Sequence, residues 1–425
     1  MRSLTKQIAL CTFGTLFEWY DFSLFAALAP IISEIFFPHS SHFAAMMSTF
    51  VVFASGFIMR PIGAVFFGHL GDKIGRKSTL LITVFIMTIS TAAIGLIPVG
   101  LGLSTLLLVI FRLIQGFAAS GEYPGGITLL AEQPNINNRG FISSFGIFAA
   151  PAGIFVGTLV CTITSKLIDH HSMAQWGWRI PFLIGAPLGF IGYLIRKALL
   201  ESEKFQIAKQ EKTLMKVPAL HLIKEYRREF MALFCLYILS NVSFYINFIY
   251  LSSYSVNAHK FGTTTALYLN SVTTFIYAIS ILLFGLFSDY LDRKLLMIAA
   301  CLLMACLIYP LFLFILNGDI AKQFVAQSLI SMMIGMFVGP LAILSADLFP
   351  TEIRYTGISM SLNISAAIFG GTTPIICAWL TKISHAAITP AYYFILVALL
   401  AAYAITLVTP KKKCENTYLE ITNSV

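Results

Sequence analysis

GHLGDKIGRK, residues 68–77, and GLFSDYLDRK, residues 285–294, are one loop written twice. Gly68 aligns with Gly285, Asp72 with Asp289, and Arg76–Lys77 with Arg293–Lys294, all at an offset of 217. A second correspondence lies downstream of each copy. Ala131, Glu132 and Arg139 in AEQPNINNR align with Ala346, Asp347 and Arg354 in ADLFPTEIR at an offset of 215. Two landmarks that share one period point to an internal duplication and so to a chain of two related halves. In the first copy Gly71 and Gly75 permit a tight turn, while the aspartate can accept from helix-terminal N–H groups or a neighbouring cation. The Arg–Lys pair can meet acids or carbonyls at helix ends. A single basic turn need only set topology, but two copies in register point to a latch between bundles. Gly68, Asp72, Gly75, Arg76, Lys77, Asp289, Arg293 and Lys294 are its expected residues.

The chain between these loops is apolar. Its 425 residues are 58% hydrophobic and 11% charged, with a mean hydropathy of +0.83, far from the roughly 25% charged residues of a soluble domain. Twelve apolar runs are long enough to cross a bilayer as helix: 8–37, 44–67, 78–97, 104–131, 141–167, 180–199, 230–256, 264–287, 295–316, 324–348, 357–381 and 391–409. The expected fold is all-α, twelve transmembrane helices in two pseudo-symmetric six-helix bundles. Residues 1–200 form one bundle and 230–425 the other, and the polar segment 201–229 links them. Most of the 28 lysines and arginines fall on the side that holds this linker, so the positive-inside rule places the linker and both termini in the cytoplasm. The net charge of +9 reflects that topology, and no nucleic-acid partner is expected.

The first run carries Glu18 and Asp21 and continues past any cleavage point, so it is read as a retained helix. No CxxC pair stands among the seven cysteines (11, 161, 235, 301, 306, 377 and 414), and those within spans are read as small packing residues. Six histidines (39, 42, 170, 171, 259 and 385) fall in or near outer loops without metal-ligand spacing. The tail after Pro410 shows no heptads.

Charge inside an apolar span is expensive and marks function by default. FEWYDF (17–22) puts Glu18 and Asp21 on nearly the same face of the first helix, and the fourth carries Arg112, Gln115 and Glu122 along one stripe. Arg112 and Glu122 are ~15 Å apart along the axis, so each needs a partner on another helix. Glu18 or Asp21 is the expected partner of Arg112, and whichever acid is left over can carry a proton. Proton coupling is therefore assigned to Glu18, Asp21, Arg112 and Glu122. A stable Arg–carboxylate pair that only holds helices together is the competing reading. The second half offers polar aromatics instead, in LYILSNVSFYINFIYLSSY (236–254) and at Asn363. Tyr237, Asn241, Tyr245 and Asn363, with Arg60 and Gln115 from the first half, are the expected substrate-lining residues. Tyrosine faces suit a quaternary ammonium, while Tyr250 and Tyr254 are read as interfacial anchors.

GHLGDKIGRK resembles the signature loop of the major facilitator superfamily. FEWYDF, RPIGAVFFGHLGDKIGRK (60–77), RLIQGFAASGEYPGG (112–126), WGWRIPFLIG (176–185), ESEKF (201–205) and FPTEIRYTG (349–357) resemble its metabolite:proton symporter family. That family includes proline/betaine, dicarboxylate and shikimate-type carriers. The resemblance implies that FEWYDF is an acidic helix-one signature and RLIQG a helix-four motif tied to proton coupling. It also implies a bacterial-type inner membrane.

The function read from these features is proton symport of a small organic solute by alternating access. A zwitterion such as proline or betaine is favoured because three deep acids against Arg112 leave the interior negative. A dicarboxylate or other organic acid is the alternative, with Arg60 as second anchor. Export by proton antiport is a further alternative, carried by GIFAAPAGIFVG (146–157), although small residues at this spacing also serve close helix packing. A receptor that binds without transporting is the last. No GxxxxGK[ST], HExxH or GxSxG motif occurs in the chain, so neither nucleotide, metal nor enzymatic chemistry is expected. No cofactor is called for beyond the proton gradient; the partners are the solute, protons and the lipid bilayer, and a monomer suffices.

Overall fold

The computed structural model describes residues 2–38, 41–100, 102–133, 137–257 and 263–408. Among them eleven helices are long and apolar enough to cross a membrane, or twelve when the bent pair at the start counts as one. That pair, Arg2–Ala27 and Ala29–Phe36, forms span 1 and bends by 61°. The expected run 8–37 is thus not one straight helix. Pro30 sits in the first turn after the break, where it has no N–H to continue the preceding ladder.

Spans 2 to 6 are His42–Lys73, Arg76–Gly95, Ser104–Ala131, Arg139–Leu167 and Arg179–Lys197. Span 7 is Arg227–Phe244 extended through a wide-turn stretch, Tyr245–Tyr250, into Leu251–Asn257. Spans 8 to 10 are Thr263–Phe287, Arg293–Leu316 and Ile320–Asp347. Span 11 is Arg354–Ser365 continued through Ala366–Gly370 to Thr373–Ser384, and span 12 is Thr389–Leu407. Large apolar side chains such as Val51, Ile58, Leu167 and Leu396 stand exposed along the outside, as a lipid-facing surface requires.

Between spans 6 and 7 the linker forms two short helices, Glu203–Gln210 and Pro218–Glu225. The amide of Leu200 donates to Gln7 Oε1, and Lys294 Nζ donates to Val408 O. The start of span 1 and the end of span 12 therefore lie at the linker end of the bundle. His39, His259 and Cys414, Lys260 and the tail after Pro410 lie outside the described residues.

Hydrogen bonds that cross between the halves gather at the linker end, and they repeat with the period of the sequence. Asp72 accepts the amides of Tyr355 and Thr356 at 3.2 and 2.9 Å, at the start of span 11. Asp289 accepts those of Gly140 and Phe141 at 2.6 and 2.9 Å, at the start of span 5. Each aspartate thus caps the N-terminus of a helix in the opposite half, where partial positive charge accumulates.

The arginines repeat in the same way. Arg76 forks onto Glu132 with two bonds of 3.0 Å, and Arg354 reaches the same carboxylate from the other half at 2.6 Å. Arg293 and Arg139 converge on Asp347, each at 2.8 Å. Gly68 and Gly71 lie flat against Thr356 and Tyr355, and Gly75, at φ +113°, precedes span 3. Glu201 of the linker accepts the amides of Arg76 and Lys77.

Candidate functional site

A cavity opens within the first half, lined by Glu18, Asp21 and Phe22 of span 1, Gly56, Phe57 and Arg60 of span 2, Met87 of span 3, and Arg112, Gln115, Gly116 and Ala119 of span 4. Gly56 and Gly116 make this wall possible. A Cβ on Gly116 would run into the backbone of Gly56, so spans 2 and 4 touch main chain to main chain there. The rise along span 2 sets Arg60 about 18 Å from Asp72, so the cavity stands well back from the linker-end contacts.

Arg112 does not pair directly with either acid of span 1. Its Nη1 donates to Gln115 Oε1 at 3.0 Å, Gln115 Nε2 donates to Thr91 Oγ1 at 3.1 Å, and the Thr91 hydroxyl donates to Asp21 Oδ1 at 2.7 Å. The expected Arg112–carboxylate contact is replaced by a relay through Gln115 and Thr91. Thr91 carries no charge and so gave no warning of its place in this chain.

Glu18 faces Arg60 instead, at 3.7 Å, and neither of its buried oxygens makes a hydrogen bond among the described residues. Arg60 is buried and sits among rings, with its guanidinium carbon 5.1 Å from the Phe57 centroid, 5.8 Å from Phe22 and 6.0 Å from Trp19.

Glu122 lies off the cavity wall. It is bound by Arg196 of span 6, with one bond at 2.7 Å and a second, closer contact, and by the Thr83 hydroxyl at 2.7 Å. Arg196, in the last turn of span 6 beside the basic linker, is fully buried. A buried carboxylate without a partner would be untenable, and that need was the available signal for an arginine elsewhere in the interior. Three deep acids face three deep guanidiniums, so the interior is balanced and not net negative.

None of the residues expected from the second half lines the cavity. Tyr237 bonds Ser345 at 3.1 Å, and Asn241 donates to Tyr237 O and to Ser365 Oγ. Tyr245 is buried in the wide-turn stretch of span 7. Asn363 reaches across to the first half, where it and Ser359 donate to Ser120 O, each at 2.9 Å. Pro124 explains this acceptor. Four residues after Ser120 in span 4 it has no N–H to give, so the Ser120 carbonyl is left free for span 11. Tyr250, read as an interfacial anchor, is buried and bonds Thr381. Gly153 and Gly157 of the small-residue run pack against the backbone of span 1.

Comparison with known proteins accords with this architecture. A family model described as the Major Facilitator Superfamily matches residues 11–371. The proline/betaine transporter of Salmonella typhimurium is 33% identical over 411 residues, 93% of this chain and 82% of that protein. The glycine betaine/proline/ectoine/pipecolic acid transporter OusA of Dickeya dadantii is also 33% identical, over 93% of this chain and 81% of its own. Among solved structures, the proton:xylose symporter XylE superposes with a TM-score of 0.80 at 19% identity, covering 94% of both chains.

Proposed function

The chain belongs to the major facilitator superfamily, and from that membership, which makes it a multi-pass transporter and not an enzyme, we propose that it imports a small zwitterion of the proline or betaine kind by proton symport. One observation carries the proposal: a cavity walled by two carboxylates and two guanidiniums that are not fully satisfied by each other. A zwitterion brings one charge of each sign to such a site without disturbing its balance. A dicarboxylate would add two negative charges to a balanced interior, at the cost of burying unpaired charge. The names of the relatives point the same way, since proline and betaine are both zwitterions.

Asp21 is the proton site in this mechanism. While it is ionised, the Thr91–Gln115 relay holds Arg112 toward span 1. Protonation releases that hold, and Arg112 then turns to the solute carboxylate. Glu122, locked by Arg196, serves as a structural anchor of span 4. The halves divide at the linker, 201–229, and rock against each other, which exposes the first-half cavity to either side in turn. The linker end, closed here by the paired aspartate caps, is the cytoplasmic side of an inner membrane, so the cavity serves the outer side in this state.

Purified protein in proteoliposomes with a pH dye tests the proposal. Proton entry on external addition of proline or glycine betaine, and not of succinate, 2-oxoglutarate or shikimate, is the expected result. Proton entry driven only by an organic acid would move the substrate class. Asp21→Asn and Arg112→Ala should each abolish uphill accumulation in protein that inserts normally, and accumulation preserved in both would remove the coupling role.

A further inference from the structure

Five arginines are buried among the described residues: 60, 76, 112, 196 and 354. Four of them donate hydrogen bonds to protein acceptors. Arg60 donates none among the described residues. It is held by the charge of Glu18 and by the faces of Phe57, Phe22 and Trp19 alone. Guanidinium has five N–H donors and ordinarily uses them when buried. A pocket that retains a cation without offering it hydrogen bonds is built for a cation that has none to give, and a quaternary ammonium is such a cation.

We infer that Arg60 is an internal stand-in for the cationic nitrogen of the solute: it occupies an aromatic cage of Phe57, Phe22 and Trp19, closed by Glu18, that a methylated ammonium group enters when Arg60 swings out. The inference rests on the zwitterion reading above and assigns the two ends of the solute. The ammonium takes the cage and the charge of Glu18. The displaced guanidinium, its donors unspent, joins Arg112 on the solute carboxylate. Glu18, Phe22, Phe57 and Arg60 all line the cavity, so the exchange needs a side-chain rotation and no backbone rearrangement. A solute lacking the positive charge cannot displace Arg60, which makes the residue a specificity device as well as a binding group.

Equilibrium binding to the purified full-length protein tests this with three probes. Glycine betaine is compared with 3,3-dimethylbutyrate, which has the same shape with carbon in place of nitrogen, and with tetramethylammonium, which has the cation without the carboxylate. Wild type should prefer glycine betaine to 3,3-dimethylbutyrate by roughly tenfold or more, the worth of a desolvated cation–π contact. Phe57→Leu keeps apolar bulk but removes one of the three ring faces and should cut that preference several-fold, while Phe57→Tyr should retain it. Phe22→Leu replaces Phe57→Leu if the latter does not insert.

Arg60→Gln removes the internal competitor and should strengthen tetramethylammonium binding while weakening that of glycine betaine. A preference unchanged by loss of the ring, or tetramethylammonium binding unchanged in Arg60→Gln, overturns the inference. The underlying reading fails in a different way: wild type would then neither bind nor transport glycine betaine or proline while an organic acid drives proton entry.

Discussion

The two copies of the signature loop use the same residue types in the same roles, yet one is sealed and the other is wet. In the first copy Asp72, Arg76 and Glu132 are all at most 2% exposed. In the second, the Arg293 and Asp347 side chains are each 26% exposed and that of Arg139 is 17% exposed. The linker makes the difference. Phe205 lays its ring over the Arg76 guanidinium at 4.9 Å, and Glu201 closes the start of span 3 beside it. Attraction between charges grows as water is excluded, and so does the cost of breaking a pair. A duplicated sequence therefore does not make two equal contacts: the first copy is sealed from water and the second is partly solvated.

The sharpest way to break that comparison is Glu132→Gln. One carboxylate serves Arg76 and Arg354, so the substitution leaves buried Arg354 without an acid partner among the described residues and Arg76 with Asp72 alone, at 3.4 Å. The expected loss is about 3–5 kcal/mol, read as a lower melting temperature in detergent and as new reactivity of single cysteines placed at the linker end. Melting and reactivity unchanged from wild type would mean that the sealed copy carries no more than the wet one.

Next in size are the two helix caps. Asp72→Asn gives up charge-assisted bonds to two buried amides, worth about 1.5 kcal/mol or more, and should slow turnover by roughly tenfold with little change in solute affinity. Asp289→Asn acts on the same geometry beside more exposed neighbours and should slow turnover less. Equal effects would favour symmetrical latches. Asp347→Asn should be milder still, within about 1 kcal/mol for an exposed pair, and its effect should vanish in high salt because exposed charges are screened. Glu132→Gln should keep its effect under the same salt.

The sequence carried the duplication plainly, because a repeated loop needs no knowledge of side-chain packing. Period and composition likewise fixed the twelve spans, and the acids of span 1 stood out by their cost in an apolar run. Partner choice was not legible. Arg60 and Arg112 were each one of several cations within reach of Glu18 and Asp21, and Thr91, which completes the relay, looks like any small residue of a transmembrane helix. Arg196 sits at the start of a basic stretch and reads as part of it until the fold turns it inward. Pro124 announced a distorted helix, but which side chain would take the freed carbonyl depended on span 11 arriving from the other half. The aromatic cage was hidden for the same reason. Trp19, Phe22 and Phe57 are ordinary apolar residues until a guanidinium is placed among them.

The smallest expected effect separates the copies by pH. Glu132 lies just beyond span 4; burial alone would raise its carboxyl, but Arg76 and Arg354 outweigh burial and hold it at about 2, below its usual 4.5. Its contribution is complete above the usual value and is lost only as pH falls through about 2. Lys204, in the linker, behaves oppositely. Burial first, then the nearby Arg139 and Arg354, bring its ammonium down to about 8 from the usual 10.5, against the pull of Glu132 and Asp347. A lysine whose pKa falls on folding costs stability while it is charged, and that cost is shed as pH rises through about 8. The closed linker end should therefore be indifferent to pH between about 5 and 7 and tighten modestly above 8. Cysteine reactivity at the linker end should fall across that upper window in wild type and stay flat in Lys204→Met. A fall that persists in Lys204→Met would assign the pH response to another group and leave the linker as a cover for Arg76 alone.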